Sequence, residues 1–243
     1  MIAEATDRLS RASAQIREWL AWADFGLHLT RPWRVVLAGR PNVGKSSLSN
    51  AILGYTRSIV FDQPGTTRDV VSAQTAIDGW PIELSDTAGL RASDDPLESA
   101  GIARARQTLE TADLVIALID ISQQPSAADR SILAEQRPQI VVAHKCDLPM
   151  YEGCDGWHSE EMAAWLPVSA KTGSGVKNLI AAISQRLVPQ VPPSDCLIPL
   201  TERHVALFTR ALAAADRGDA AGLVQSLRHV LDGADGLVDS ATC

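Results

Sequence analysis

With 243 residues, 46% hydrophobic and 21% charged, the chain can form one mid-sized domain plus a smaller appendage and bury a sizeable core. No apolar run approaches the ~20 residues that cross a bilayer, so no membrane partner is expected. The net charge of −7, without a Lys/Arg-rich run, does not support direct nucleic-acid binding, because phosphate contacts need clustered cations.

Residues 1–32 open with MIAEATDRLSRASAQIREWL, which mixes acids, bases and polar residues and is neither a secretion signal nor a membrane anchor in pattern. A cytoplasmic protein is expected. Leu9, Ala12, Ile16, Trp19, Leu20 and Ala23 recur at helical spacing and form one apolar stripe. A β-rich run at Arg34–Ala38 follows, then a Gly-rich loop and a helical pattern at Lys45–Leu53. The polar segment Asp62–Asp69 leads into a strand at Val70–Ile77. Asp78-Gly79 is a two-residue hairpin signal, so the strand Ile82–Asp86 should return antiparallel to it. Further strands are expected at Leu114–Asp120, Ile140–His144 and Leu166–Ser169. Helices are expected at Ser99–Thr111, Ala127–Glu135, Ser159–Ala164 and Gly175–Leu187. This alternation predicts an α/β domain of the P-loop NTPase class over 33–188, with a mostly parallel six-stranded sheet.

Residues 189–200 continue the Pro-rich stretch VPQVPPSD and read as a stiff linker. The segment 201–243 carries two helical patterns, Thr201–Arg217 and Asp219–Val238. Val205, Phe208 and Leu212 share one stripe; Leu223, Leu227, Val230 and Leu231 share another. The terminal helices either join as a small helical appendage, the favoured expectation, or pack separately on the sheet domain. Cys146, Cys154, Cys196 and Cys243 show no CxxC pair and no zinc spacing, and read as ordinary thiols.

Gly39-Arg-Pro-Asn-Val-Gly44-Lys45-Ser46 fits the phosphate-binding pattern G-x-x-x-x-G-K-[ST], between a strand and a helix as the pattern requires. Its backbone N–H groups and the helix N-terminus favour a β-phosphate. Lys45 supplies a charge to the β- and γ-phosphates, and the Ser46 hydroxyl is a Mg²⁺ ligand. The sequence DTAG follows the strand Ile82–Asp86. Asp86 would hold Mg²⁺ through water, and the Gly89 N–H would reach a γ-phosphate.

The base is read from two later loops. His144-Lys145-Cys146-Asp147 and Ser169-Ala170-Lys171 both follow strands, where doubly wound sheets bind ligands. An Asp147 carboxylate accepts two hydrogen bonds from guanine N1–H and N2–H₂, and adenine offers no such pair. Lys145 would lay its stem over the base, and the Ala170 N–H would donate to guanine O6. GTP over ATP is the expectation.

GRPNVGKSS, GTTRD, DTAG, xKxD and SAK, in this order, resemble the five guanine-nucleotide motifs of the translation-factor-like GTPases. Among these the chain is most similar to the G domain of the MnmE (TrmE) family, and more distantly to Era and Der. The similarity is close over 33–188 and loose for the flanking helices. It implies a GTP-hydrolysing enzyme with nucleotide contacts at Asn42, Val43, Gly44, Lys45, Ser46, Ser47, Thr66, Thr67, Asp86, Gly89, Lys145, Asp147, Ser169, Ala170 and Lys171. Thr67 would close on Mg²⁺ alongside Ser46 and Asp86. One departure stands out: where the family has Asn, this chain has His144. The Asn ties the base loop to the phosphate loop, and a neutral imidazole copies one such bond but not an amide. Weaker nucleotide binding is expected, with guanine choice intact.

DTAG is followed by Leu90, which has no polar group to orient a nucleophile. The resemblance implies instead a K⁺ ion on Asn42, completed by switch I carbonyls near Gln63–Gly65, and a more distant glutamate. The run LRASDDPLESAG places Glu98 at that catalytic glutamate's position, beside Lys45 and Gly89 as the groups acting on the γ-phosphate. Glu98 otherwise reads as an acid favourable to the start of the helix Ser99–Thr111. Arg68 and Arg91 read as solvated arginines or as contacts to phosphate or a partner. A transient homodimer through the G domains is also implied.

The family's folate-binding domain and FCIGK-like cysteine signature have no counterpart in these residues, and the terminal SATC does not match that spacing. Two functional classes follow. One is a GTPase linked to tRNA wobble-uridine modification through a partner protein. The other is an Era- or Der-like switch in ribosome assembly, which the absence of a basic GXXG module in the tail disfavours; a regulatory GTPase without an RNA link is a third option.

Overall fold

The computed structural model describes residues 2–56, 72–86, 107–153 and 156–231. Within them six strands form one sheet: β1 (Trp33–Ala38), β2 (Ser72–Ile77), β3 (Trp80–Asp86), β4 (Leu114–Asp120), β5 (Ile140–His144) and β6 (Leu166–Val168). Their order across the sheet is β2-β3-β1-β4-β5-β6, and only the β2–β3 pair is antiparallel. This is the expected mostly parallel six-stranded α/β sheet. All seven residues of β4 are buried, as a central parallel strand covered on both faces demands.

The hairpin forms where its turn signal lies. Asp78 and Gly79 adopt φ of 51° and 86°, and Ile77 pairs with Trp80 across them. Two consecutive positive φ values match the right-handed twist of the strands, and the Asp-Gly pair supplies them at low cost. Strand Val70–Ile77 is seen from Ser72; residues 70 and 71 lie outside the described residues.

The helices are α1 (Ile2–Ala21), α2 (Ala23–His28), α3 (Lys45–Tyr55), α4 (Ala127–Glu135), α5 (Ser159–Met162), α6 (Val176–Leu187), α7 (Glu202–Asp216) and α8 (Ala220–Leu231). Of the helix expected at Ser99–Thr111, residues 107–110 are helical and 99–106 lie outside the described residues. A capping box starts α4: Ser126 Oγ accepts from the Asp129 N–H, and the Asp129 carboxylate accepts from the Ser126 N–H at 3.0 Å.

The chain divides into two compact units: the described residues of 32–189, and those of 1–31 with 190–243. The sheet unit has its own core, in which Val35, Leu37, Leu48, Ile52, Leu84, Ile116, Leu118, Val142, Leu179 and Ile183 are at most 1% exposed. Burying each such side chain contributes roughly 1.5–3 kcal/mol, so this cluster holds α3 and α6 onto the sheet.

In the helical unit Ile16, Phe208, Ala211, Ala214, Ala215 and Leu223 form a second core, with Leu9, Ala12, Trp19, Leu20, Leu212, Leu227 and Val230 against it. Three members of the expected stripes are absent from this core. Ala23 starts a separate helix, α2, after a break at Trp22. Val205 lies outside the cluster, to which α7 contributes Ala211, Ala214 and Ala215 beside Phe208. Leu231, the last described residue of α8, is 80% exposed. The Pro-rich stretch belongs to this unit from Gln190 onward, and within the unit the Thr30 hydroxyl donates to the Leu200 carbonyl and Arg31 pairs with Glu202. No helix among the described residues is long and apolar enough to cross a membrane.

Candidate functional site

Parallel pairing sets the C-terminal ends of β1, β3, β4, β5 and β6 along one edge. The register puts Leu37 opposite Asp86, Asp120 opposite His144, and His144 opposite Val168. Every described motif of the sequence leaves from this edge, the position at which open α/β sheets bind ligands.

The phosphate loop runs from Gly39 to the N-terminus of α3. Asn42 has φ of 61°, and Gly44, the residue capping α3, has φ of 107°. A Cβ at Gly44 would also lie 2.5 Å from His144 Cε1, so both conformation and space exclude a side chain there. The Lys45 ammonium is buried and donates to the carbonyls of Gly39 (2.9 Å) and Arg40 (3.0 Å). It is thereby curled over its own loop, where a phosphate oxygen can take over its donors.

Ser46 Oγ donates to Asp86 Oδ2 at 2.8 Å. One group comes from the start of α3 and the other from the end of β3, and both are hard oxygen donors of the kind Mg²⁺ selects. The pair fits that ion by the chemistry of its donors. Thr66, Thr67, Gly89 and Glu98, and with them Gln63, Gly65, Arg68, Leu90 and Arg91, lie outside the described residues.

At the base end, His144 is 2% exposed and its Nδ1 lies 2.8 Å from the Val43 carbonyl oxygen. Burial lowers the His144 pKa, and the bond to Val43 only partly opposes this. The ring is therefore neutral and carries its proton on Nδ1, which donates. Asp147 is exposed, and the Ser169 hydroxyl holds its carboxyl below the ordinary range, so it stays an acceptor-only group. Ser169 is itself buried and accepts from the Thr172 N–H at 3.2 Å. The two loops that the sequence assigns to guanine thus meet through Ser169 and Asp147. Lys171 is exposed beside them, and Ala170 packs against the core.

Sequence reasoning passed over Asp120. Its carboxylate is almost fully buried and accepts from Lys145 Nζ at 2.6 Å and from Ser122 at 2.6 Å (Oγ) and 3.1 Å (N–H). A usable signal was present: the wholly apolar run LVIALI ends in Asp, and a buried carboxylate needs a partner cation. Arg40 was likewise unassigned; it donates to Gln123 at 2.9 Å and pairs with the buried Asp129 at 3.5 Å.

A sequence model of the family described as 50S ribosome-binding GTPase matches residues 34–145. The tRNA modification GTPase MnmE of Synechococcus sp. (strain JA-3-3Ab) is 39% identical over 212 residues, which cover 86% of this chain and 46% of that protein. MnmE of Chloroflexus aurantiacus is 39% identical over 226 residues, 90% of this chain and 50% of that one. The chain therefore spans about half the length of the curated relatives it matches. A crystal structure of the G domain of the T. maritima FeoB iron transporter aligns with a TM-score of 0.46 and 28% identity, over 65% of this chain and all of that one. The Gly39–Ser46 loop, the Ser46–Asp86 pair and the loops after β5 and β6 lie on one sheet edge of a P-loop domain; residues 34–145 of the chain match a GTPase family, and the chain is related in sequence to the MnmE GTPases.

Proposed function

We propose that the protein is a GTP-driven switch that binds GTP and GDP with Mg²⁺ and hydrolyses GTP to GDP and phosphate. The observation that carries this is the 2.8 Å approach of Ser46 Oγ to Asp86 Oδ2 beside the Lys45 loop. Two Mg²⁺-compatible ligands from separate elements are thereby brought together beside that loop. Ser46 and Asp86 would hold Mg²⁺, which would supply neutralisation of charge developing on the phosphate oxygens.

The chain's own residues supply the rest. Lys45 exchanges its two carbonyl partners for phosphate oxygens, and the Gly44 backbone lets N–H groups wrap the β-phosphate. Asp147, kept ionised by Ser169, accepts from the guanine edge. Thr67 would join the metal ligands, Gly89 would donate to the γ-phosphate, and Glu98 would orient the attacking water. A K⁺ ion on Asn42 and a G-domain dimer complete the proposal; both rest on the resemblance to MnmE.

The similarity to MnmE supports a place in tRNA wobble-uridine modification, acting with a partner protein. The description of the matching family supports a second reading, a switch acting on the large ribosomal subunit. Co-purification separates them: tRNA-modifying proteins in the first case, ribosomal subunits in the second. For the chemistry, GTP turnover is measured in K⁺ and in Na⁺ at equal ionic strength, for the wild type and Glu98→Ala. Faster turnover in K⁺ and loss of turnover in Glu98→Ala, with binding retained, are expected. Equal rates in both salts remove the cation, and an unaltered variant returns Glu98 to a helix-start role.

A further inference from the structure

The carboxylate of Asp120 sits at the end of β4, between the phosphate loop and the base loop, and serves neither motif directly. Its side chain is 1% exposed, while that of Lys145 is 28% exposed. Three donors satisfy it: Lys145 Nζ on Oδ2, and the Ser122 hydroxyl and N–H on Oδ1. Burial disfavours the ionised form, but the bonds from Lys145 and Ser122 outweigh it and hold the carboxyl below its ordinary range.

The fixed carboxylate determines where the Lys145 side chain runs. The Lys145 backbone is in the left-handed region, φ 60°, and its ammonium is drawn back towards β4 and also approaches the Asn42 carbonyl at 3.5 Å. A lysine stem pinned at both ends presents a methylene surface. An unpinned lysine would lose rotamer entropy on adopting the same path when a ligand arrives.

We propose that Asp120 is a positioning residue for nucleotide binding: through Lys145 it prearranges the stem on which the purine lies. This rests on the guanine-nucleotide reading of the site. Asp120 would then set how tightly any nucleotide with that base is held, whereas Asp147 sets which base is chosen. The Ser122 hydroxyl supports the same carboxylate from the far side.

The test compares GDP binding by calorimetry in the wild type, Asp120→Asn and Ser122→Ala, together with labelling of nucleotide-free protein by an amine-reactive ester. Lys171 and Lys177, both exposed, are internal references for labelling. Asp120→Asn is expected to bind GDP about tenfold more weakly, the scale of one charge-assisted hydrogen bond. Lys145 should label far more slowly than Lys171 in the wild type and at a similar rate in Asp120→Asn. Ser122→Ala, which keeps the charge pair, should weaken GDP binding by about twofold to fivefold.

Equal GDP affinity in wild type and Asp120→Asn overturns the role of Asp120 and leaves the nucleotide site standing. So does rapid labelling of Lys145 in the wild type, a result that needs no folded variant. A wild type that binds no GDP overturns both.

Discussion

His144 Nδ1 donates to the Val43 carbonyl oxygen at 2.8 Å, so a side chain of the base loop is bonded to the backbone of the phosphate loop. The expected tie between the two loops is thus present although the family's asparagine is not. Among the described residues the other ring nitrogen, Nε2, is buried without a hydrogen-bond partner. An amide in the same place could satisfy both of its polar ends, and leaving one buried polar atom unpaired costs about 1–3 kcal/mol. His144→Asn is therefore expected to bind GDP several-fold more tightly than the wild type, by titration calorimetry.

The same ring makes stability depend on pH. Burial depresses the His144 pKa from its ordinary value of 6.5, so the unfolded chain binds the proton more readily than the folded one. The stability contributed by the neutral ring is present above 6.5 and is lost as pH falls from there towards the folded pKa. The melting temperature of the nucleotide-free wild type should drop relative to His144→Asn between about pH 7 and about pH 5.5. Parallel curves for the two proteins would show that the ring does not titrate in this way.

Gly44→Ala should abolish tight nucleotide binding. The left-handed backbone costs about 1–3 kcal/mol with a side chain present, and the new methyl meets His144 Cε1 at 2.5 Å. The double variant Gly44→Ala/His144→Ala removes the clash but keeps the strain. It is expected to recover part of the stability and little of the GDP affinity, measured by thermal melts and calorimetry.

Asp147→Asn replaces an ionised double acceptor with an amide that must turn a donor towards the guanine edge. Weaker GDP binding, with a gain for xanthosine diphosphate, is expected in a competition assay. Xanthine carries a carbonyl where guanine has its amino group, and the amide can donate to it. An unchanged order of base preference would take Asp147 out of the base site.

Much of this was legible before any coordinates. The strands Leu114–Asp120 and Ile140–His144 fall at the residues read from apolar runs, because a strand covered on both faces tolerates little else. The Asp78-Gly79 turn was equally plain, since few residue pairs accept two positive φ angles. The helix break at Trp22 was not, as neither glycine nor proline marks it and the stripe simply continues. The α7 seam was legible at Phe208 and Leu212 but not at Ala211, Ala214 and Ala215, which carry little weight in a pattern of large apolar side chains. The Asp120–Lys145 and Arg40–Asp129 pairs join residues far apart in sequence, and only strand order brings them together.

The helical unit has a separate core, so its stability can be perturbed by itself. Phe208 is 2% exposed, and its ring meets Trp19 edge-on at 5.4 Å between centroids. Phe208→Ala should cost about 3–5 kcal/mol in that unit, seen as lost protection of α1 and α7 amides in hydrogen exchange. Exchange within β1 and β4 is expected to change much less.

Calorimetric titration of the intact, folded chain with GDP, GTP and ATP in the presence of Mg²⁺ bears most directly on the central claim. Saturable heats with both guanine nucleotides and none with ATP are predicted. Silence with GDP and GTP, or ATP binding as tightly as GTP, would contradict a site in which the Lys45 loop holds the phosphates and Asp147 reads the base.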